Sequence, residues 1–95
     1  MTVAALSKLV PGHAAAELAP HVEAHIAFMT ELEHAGVLVA SGPFRAAGAN
    51  TGEGLTIVRA ASLAAAHEAL AGDPFVRAGL RTWQLHEWHV VEGKL

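Results

Sequence analysis

The order of apolar patterns along the chain constrains its fold more than any single residue does. The sequence opens on a run of apolar and β-branched residues, 2–10, which a Pro-Gly pair closes. This composition predicts a strand followed by a turn. Apolar residues then recur at three- and four-residue spacing as far as Gly36, which is typical of a helix that a glycine ends. Pro20 suits the first turn of a helix, so we expect the regular part of the helix to span 20–35.

The second half of the chain begins with two strand patterns. Residues 37–40 and 54–60 carry short apolar runs that predict strands paired as a hairpin. We expect the glycine-containing loop between them, 46–52, to be mobile. Ser62 is a good N-cap for a second helix. Residues 80–91 then alternate large side chains on two faces, which predicts the final strand.

The order strand, helix, strand, strand, helix, strand is that of an α+β, ferredoxin-like βαββαβ subunit with a four-stranded antiparallel sheet. A length of 95 residues predicts one domain over 1–95. The chain has 21 alanines and therefore few bulky apolar side chains for a core. Both faces of the final strand carry large side chains, so we expect a homodimer whose sheets cover each other and enclose a cleft.

Composition excludes several classes of function. The net charge is −3 and the six basic residues are scattered, so no nucleic acid is expected as a partner. The absence of cysteine excludes disulfides, thiolate nucleophiles and zinc–thiolate sites. No apolar run approaches a membrane span and no export signal opens the chain, which predicts a cytoplasmic protein without a membrane partner. Neither a nucleophile elbow nor a phosphate or dinucleotide loop is present, so no cofactor is expected.

Two residues stand out as candidates for chemistry. In the segment Asp73-Pro74-Phe75 the acid can bond its own backbone at a turn and the proline fixes φ, which holds a carboxylate on a rigid corner. His25 lies on the apolar stripe of the first helix, where a titratable ring is unusual. A carboxylate bonded to one ring nitrogen leaves the other nitrogen free as a base. Structural roles compete with this hypothesis, because such a histidine is more often a core residue and such an aspartate more often forms a turn.

A metal site is less well supported. His21 and His25 are four residues apart, which points both rings to one helix face and supplies half of a site. His86 and His89 are three apart on the final strand and so point to opposite faces. Without further ligands, we expect no metal.

Several spaced motifs are similar to one known family. The pattern His25-x-x-Phe28-x-x-x-Leu32-x-x-x-Gly36, then Ser41-Gly42-Pro43, then Asp73-Pro74-Phe75 with Gly79 and Trp88, resembles the YciI-like (YCII-related) family. The resemblance implies a dimeric α+β barrel with an active-site pair at His25 and Asp73. Its wider superfamily includes muconolactone isomerase-like proteins and dehydrochlorinases of chlorinated rings. The family often has an arginine shortly before the helical histidine, whereas His21 stands here, which puts binding of a strongly anionic substrate in doubt.

Aromatic and small residues complete the predicted site. The residues expected to contact a small-molecule ligand are Phe28, Ser41, Gly42, Phe44, Phe75, His86 and Trp88. Core packing and a strand-ending turn explain the same residues equally well. The favoured hypothesis is a small cofactor-independent enzyme, a lyase or isomerase, in which His25 moves a proton on a small organic compound, a ring compound being one option, and Asp73 orients His25 in the dimer cleft. The alternative is a non-catalytic dimeric module that binds a small ligand or a protein partner.

Overall fold

Four strands and three α-helices follow one another in a computed structural model that describes residues 1–95. The elements are β1 (Thr2–Leu9), a 3₁₀ helix (Ala15–His21), α1 (Val22–His34), β2 (Leu38–Ala46), β3 (Ala49–Arg59), α2 (Leu63–Leu70), α3 (Pro74–Arg77) and β4 (Arg81–Glu87).

The strands form one antiparallel sheet in the order β2-β3-β1-β4. The first and third strands are therefore central, which confirms the predicted α+β, ferredoxin-like fold. In the register of the sheet, Ser7 of β1 lies opposite Gly54 on one side and Trp83 on the other. All three of these residues line the cavity that is described in the next subsection.

One face of the sheet is covered by helices. Alternation along β1 buries Val3, Ala5 and Ser7 and leaves Leu6 39% exposed. Val3 and Ala5 pack with three further fully buried residues, Val58, Ala66 and Leu70. Because Ala66 and Leu70 belong to α2, these residues mark the helix-covered face. The opposite side, which carries Leu6, is called the helix-free face below.

The loop expected over 46–52 is instead the tip of a long β2–β3 hairpin. The two strands extend to Ala46 and from Ala49, and only two residues turn the chain. Ala47 and Gly48 have φ values of 52° and 80°, as a two-residue turn with left-handed central residues requires. The tip is exposed on both sides, so it has no apolar alternation from which a strand could be predicted.

One short element was not predicted, because the segment after Asp73, expected to be a turn, is the helix α3. The other differences concern the ends of elements. Pro20 lies inside the 3₁₀ helix, and α1 begins at Val22. Ser62 caps α2 as predicted, because its Oγ accepts a hydrogen bond from the Ala65 N–H at 3.0 Å. The final strand ends at Glu87, four residues earlier than its alternation suggests.

Candidate active site

The site was expected in a cleft between two subunits, on the face without helices. The cavity that His25 and Asp73 line is instead formed by a single chain on the helix-covered face, and its volume of about 390 Å³ is within the range of about 300–1,000 Å³ typical of small-molecule sites. Its walls come from the 3₁₀ helix, the start of α1, α3 and all four strands. Side chains that are remote in sequence therefore converge at one place.

The Asp73 carboxylate is held by its local sequence. Asp73 is the N-cap of α3, and its Oδ1 accepts a hydrogen bond from the Phe75 N–H at 3.0 Å. Pro74 follows as the first helical residue, where a missing N–H costs nothing. Phe75 is 8% exposed and anchors the short helix. The carboxylate is consequently immobile and only 1% exposed.

His25 presents its ring to this carboxylate. The Nδ1 atom of His25 lies 2.9 Å from Oδ1 of Asp73. An ionised carboxylate only accepts hydrogen bonds, so Nδ1 donates and the lone pair of the neutral ring lies on Nε2. The Phe75 ring stacks on the imidazole, with centroids 4.2 Å apart and planes inclined by 17°. One bond and one stacked ring thus hold His25, while its Nε2 has no partner in the protein.

Arg81 brings a cation to the same cavity. Its Nε and Nη2 donate to the Ser7 hydroxyl at 3.2 and 2.8 Å, and Nη2 also donates to the Gly52 carbonyl at 3.0 Å. Burial lowers the pKa of the guanidinium, and the Asp73 carboxylate partly offsets this effect. A guanidinium nevertheless stays protonated in proteins. The cavity is therefore positively charged at its β4 wall.

Five of the nine predicted site residues line the cavity, namely His25, Ser41, Gly42, Asp73 and Phe75. The Ser41 hydroxyl is hydrogen-bonded to that of Thr56 at 2.6 Å.

The other four predicted residues, Phe28, Phe44, His86 and Trp88, do not line this cavity. Phe28 packs against Gly72, where an added Cβ would lie 2.9 Å from its ring. His86 alternates with the inward side chains of β4, so it is exposed on the helix-free face. Phe44 and Trp88 are each 40% exposed.

Sequence reasoning missed Arg81 and Trp83 as cavity residues. Both lie on the inward face of β4, which they share with Leu85. A charged residue on the strand face that also carries core residues was the available signal.

No three histidine or acidic side chains converge in a way that would hold a metal ion. None of the helices has both the length and the apolar character needed to cross a membrane.

Comparison with known proteins identifies a family and similar solved structures. A model of the YCII-related domain matches residues 1–89. The chain is also similar to the solved structure of 5-chloro-2-hydroxyhydroquinone dehydrochlorinase from Burkholderia phenoliruptrix in complex with 2,5-dihydroxybenzoquinone. That chain is 24% identical, the alignment covers 94% of each chain and the TM-score is 0.77, so the likeness establishes the fold. No curated protein matches the sequence.

Proposed function

The chain belongs to the YCII-related domain family, and on that premise we propose that it is a small cofactor-independent enzyme that moves a proton on a small organic, ring-shaped substrate. The observation that carries the proposal is the His25–Asp73 hydrogen bond of 2.9 Å at the wall of a ligand-sized cavity. The second ring nitrogen of His25 has no partner in the protein and the side chain is 23% exposed, which supports its use by a substrate in the cavity.

In the proposed reaction, Nε2 of His25 accepts a proton from the substrate. Asp73 keeps the proton on Nδ1 and stabilises the imidazolium that forms. The electron pair released on the substrate either takes up a proton at another atom, which is an isomerisation, or expels a leaving group, which is an elimination. His25 then returns its proton to the product or to water, so the enzyme is regenerated without a cofactor.

The cavity walls suit a planar substrate. Leu18, Val22 and Trp83 supply apolar surface, while His25 and Arg81 supply the polar groups. The structural relative was solved with a dihydroxylated six-membered quinone. Hydroxylated rings, with or without a chlorine substituent, are therefore the first substrates to test.

The test is a panel of hydroxyquinols and chlorinated hydroxyquinols. Chloride release measures elimination, and deuterium uptake at ring carbons, followed by NMR, measures proton transfer. We expect His25→Gln to lower kcat by about 10²–10⁴-fold, the usual contribution of a general base. His34→Gln is the matched control, because His34 is an exposed histidine at the end of the same helix.

Turnover by His25→Gln at the rate of the unmodified enzyme would refute the proposed base. Saturable binding of panel compounds with no chemistry would instead favour the non-catalytic binding module.

We also propose that the functional unit is a homodimer formed through the helix-free face. Leu6 lies in the middle of this face, opposite Leu55 and Gln84 in the neighbouring strands. A leucine 39% exposed at the centre of a sheet supports burial against a second copy.

The dimer is tested by light scattering after size exclusion. We expect the unmodified chain to be a dimer and Leu6→Lys to be a monomer. Leu63→Lys is the control, since Leu63 is similarly exposed, at 41%, but lies at the start of α2. A dimeric Leu6→Lys variant or a monomeric unmodified chain would contradict the proposed interface.

A further inference from the structure

Arg81 is a cation without a counter-ion in the cavity wall. The ion pairs of the whole chain join His13 to Glu17 and His25 to Asp73, so no carboxylate lies within salt-bridge distance of Arg81. Its neighbours are neutral acceptors, the Ser7 hydroxyl and the Gly52 carbonyl. These acceptors orient the guanidinium but do not neutralise it.

The hydrogen bonds of Arg81 leave the Nη1 amino group without an acceptor in the protein. Nε and Nη2 are engaged with Ser7 and Gly52. A guanidinium carries five N–H donors in a fixed plane, so two of them remain for a ligand. Ser7 is only 8% exposed and holds the group in place. The unbonded Nη1 group is therefore held in position by the hydrogen bonds of Nε and Nη2.

The Asp73 carboxylate does not neutralise the charge of Arg81. Its Oδ1 is already shared by the His25 ring and the Phe75 N–H. Asp73 raises the pKa of Arg81 only enough to offset part of the lowering caused by burial. An anion in the cavity would relieve the remaining cost of burying the cation.

A second donor lies beside Arg81 on the same strand face. Trp83 is two residues further along β4 and lines the same cavity. Its Nε1 atom is buried and has no hydrogen-bond partner. Buried indole N–H groups usually find an acceptor. The protein itself provides no acceptor for this N–H, which makes Trp83 the candidate for a second donor to a ligand oxygen.

We propose that Arg81 and Trp83 form an oxyanion subsite, and that the substrate is a small planar acid whose ionised oxygen is conjugated with its ring, such as a phenolate or an enolate. This inference rests on the proposed function, since it assigns the substrate class of the same cavity. The oxygen binds at Arg81 while the proton to be moved faces His25. When His25 takes that proton, the released electron pair delocalises onto the bound oxygen, where Arg81 and Trp83 stabilise the added charge.

Arg81 supplies a positive charge from a part of the chain other than the segment just before His25. His21 stands where the resemblance to the family leads one to expect an arginine. In the folded chain β4 supplies the positive charge to the cavity instead.

The test compares two probes that differ in acidity. The hydroxyl groups of 2,5-dihydroxybenzoquinone are vinylogous acids and ionise at neutral pH, whereas 2,5-dimethoxybenzoquinone has the same ring and no acidic proton. Calorimetry with the full chain measures both affinities. We expect the unmodified protein to favour the acid by about tenfold or more, in line with a charge-assisted hydrogen bond.

Three variants separate the two donors. Arg81→Gln should weaken binding of the acid by about ten- to a hundredfold and leave the ether unchanged. Arg81→Lys should recover part of the loss, because it keeps the charge without the planar fork. Trp83→Phe should weaken binding of the acid by several-fold, since this change removes the indole N–H and keeps an aromatic ring. Arg59→Gln is the control, because Arg59 is exposed and lies outside the cavity.

The outcomes distinguish this inference from the proposed function. Equal affinity of the unmodified protein for the two probes, or binding of neither, would overturn the oxyanion subsite. Unchanged acid binding in folded Arg81→Gln and Trp83→Phe would overturn it as well. A preference for the acid that depends on Arg81, in a protein that turns over no panel compound, would support the subsite and count against the enzyme.

Discussion

Replacement of Asp73 by asparagine tests the central argument about the site. Asparagine is as good an N-cap as aspartate, so α3 should keep its start and the Phe75 N–H its acceptor. The bond to His25 changes from a charge-assisted to a neutral one, which weakens it by about half. We therefore expect a loss of about 1 kcal/mol in the free energy of unfolding.

The cost to turnover should be larger. In the unmodified protein, the imidazolium formed at His25 lies beside the Asp73 carboxylate, with 2.9 Å between the bonded atoms. Charges about 4 Å apart interact by about 4 kcal/mol at an effective dielectric constant of about 20. His25 is 23% exposed, so solvent screens part of this energy. With about 1.4 kcal/mol for each factor of ten, kcat should fall by about 10²–10³-fold.

Two measurements check the result for Asp73→Asn. Initial rates with the best panel compound give kcat, and ¹⁵N NMR of the histidine rings reports which nitrogen of His25 carries the proton. Ser62→Ala is the control, because it removes a side-chain cap of the same kind on α2, outside the cavity. It should cost about 1 kcal/mol, a shift of about 4–8 °C in Tm, and leave kcat unchanged.

Either of two results would refute the reasoning. One is a kcat for Asp73→Asn within twofold of the unmodified enzyme. The other is a neutral His25 ring that carries its proton on Nε2 in the unmodified protein, because Nδ1 would then not be donating to Asp73.

The remaining predictions concern packing and pH. Gly54→Ala should lower the free energy of unfolding in urea by about 1–3 kcal/mol, because its Cβ would lie 2.8 Å from the Gly42 carbonyl oxygen. Gly42→Ala, whose Cβ meets nothing within 4 Å, should not. Phe75→Leu removes the ring stacked on His25, so kcat should fall about tenfold with a stability loss under about 1.5 kcal/mol, and an unchanged kcat would contradict the stacking role. A backbone hydrogen bond, with a smaller contribution from a histidine, lowers the pKa of Glu17 below its ordinary value of 4.5. This carboxylate therefore stabilises the 3₁₀ helix above that value and stops doing so as pH falls through its lowered pKa. Protection factors of the amides in the 3₁₀ helix, which correct for the intrinsic pH dependence of exchange, should therefore fall over that range, and Glu17→Gln should abolish this fall.

Much of the site's local geometry was predictable because it depends on neighbours in sequence. An aspartate before a proline caps a short helix whatever surrounds it, and Asp73 does so through a bond to a residue only two positions away. The predicted pairing of Asp73 with His25 is present as a hydrogen bond. That pairing was inferred from the residue types and strengthened by a family resemblance, since nothing local links residues 48 apart.

The aromatic residues show where prediction from sequence fails. Phe75 was expected at the ligand and lines the cavity, but Phe44 and Trp88 were expected there as well and do not. Whether a strand residue faces the cavity depends on which face the helices cover, and a shift of one residue exchanges the two faces. Arg81 was overlooked for the same reason.

The sequence by itself determined the order and type of the four strands and of α1 and α2, and it placed the Asp73 carboxylate at a chain reversal, because periodicity, caps and turn residues act over a few positions. Only the tertiary structure decided that β2 and β3 continue to a two-residue turn, that Arg81 and Trp83 enter the cavity, and how far His25 lies from Asp73. These features depend on sheet register and on the docking of α1 and α3, which are contacts between residues distant in the chain. Such contacts form only when the whole domain packs.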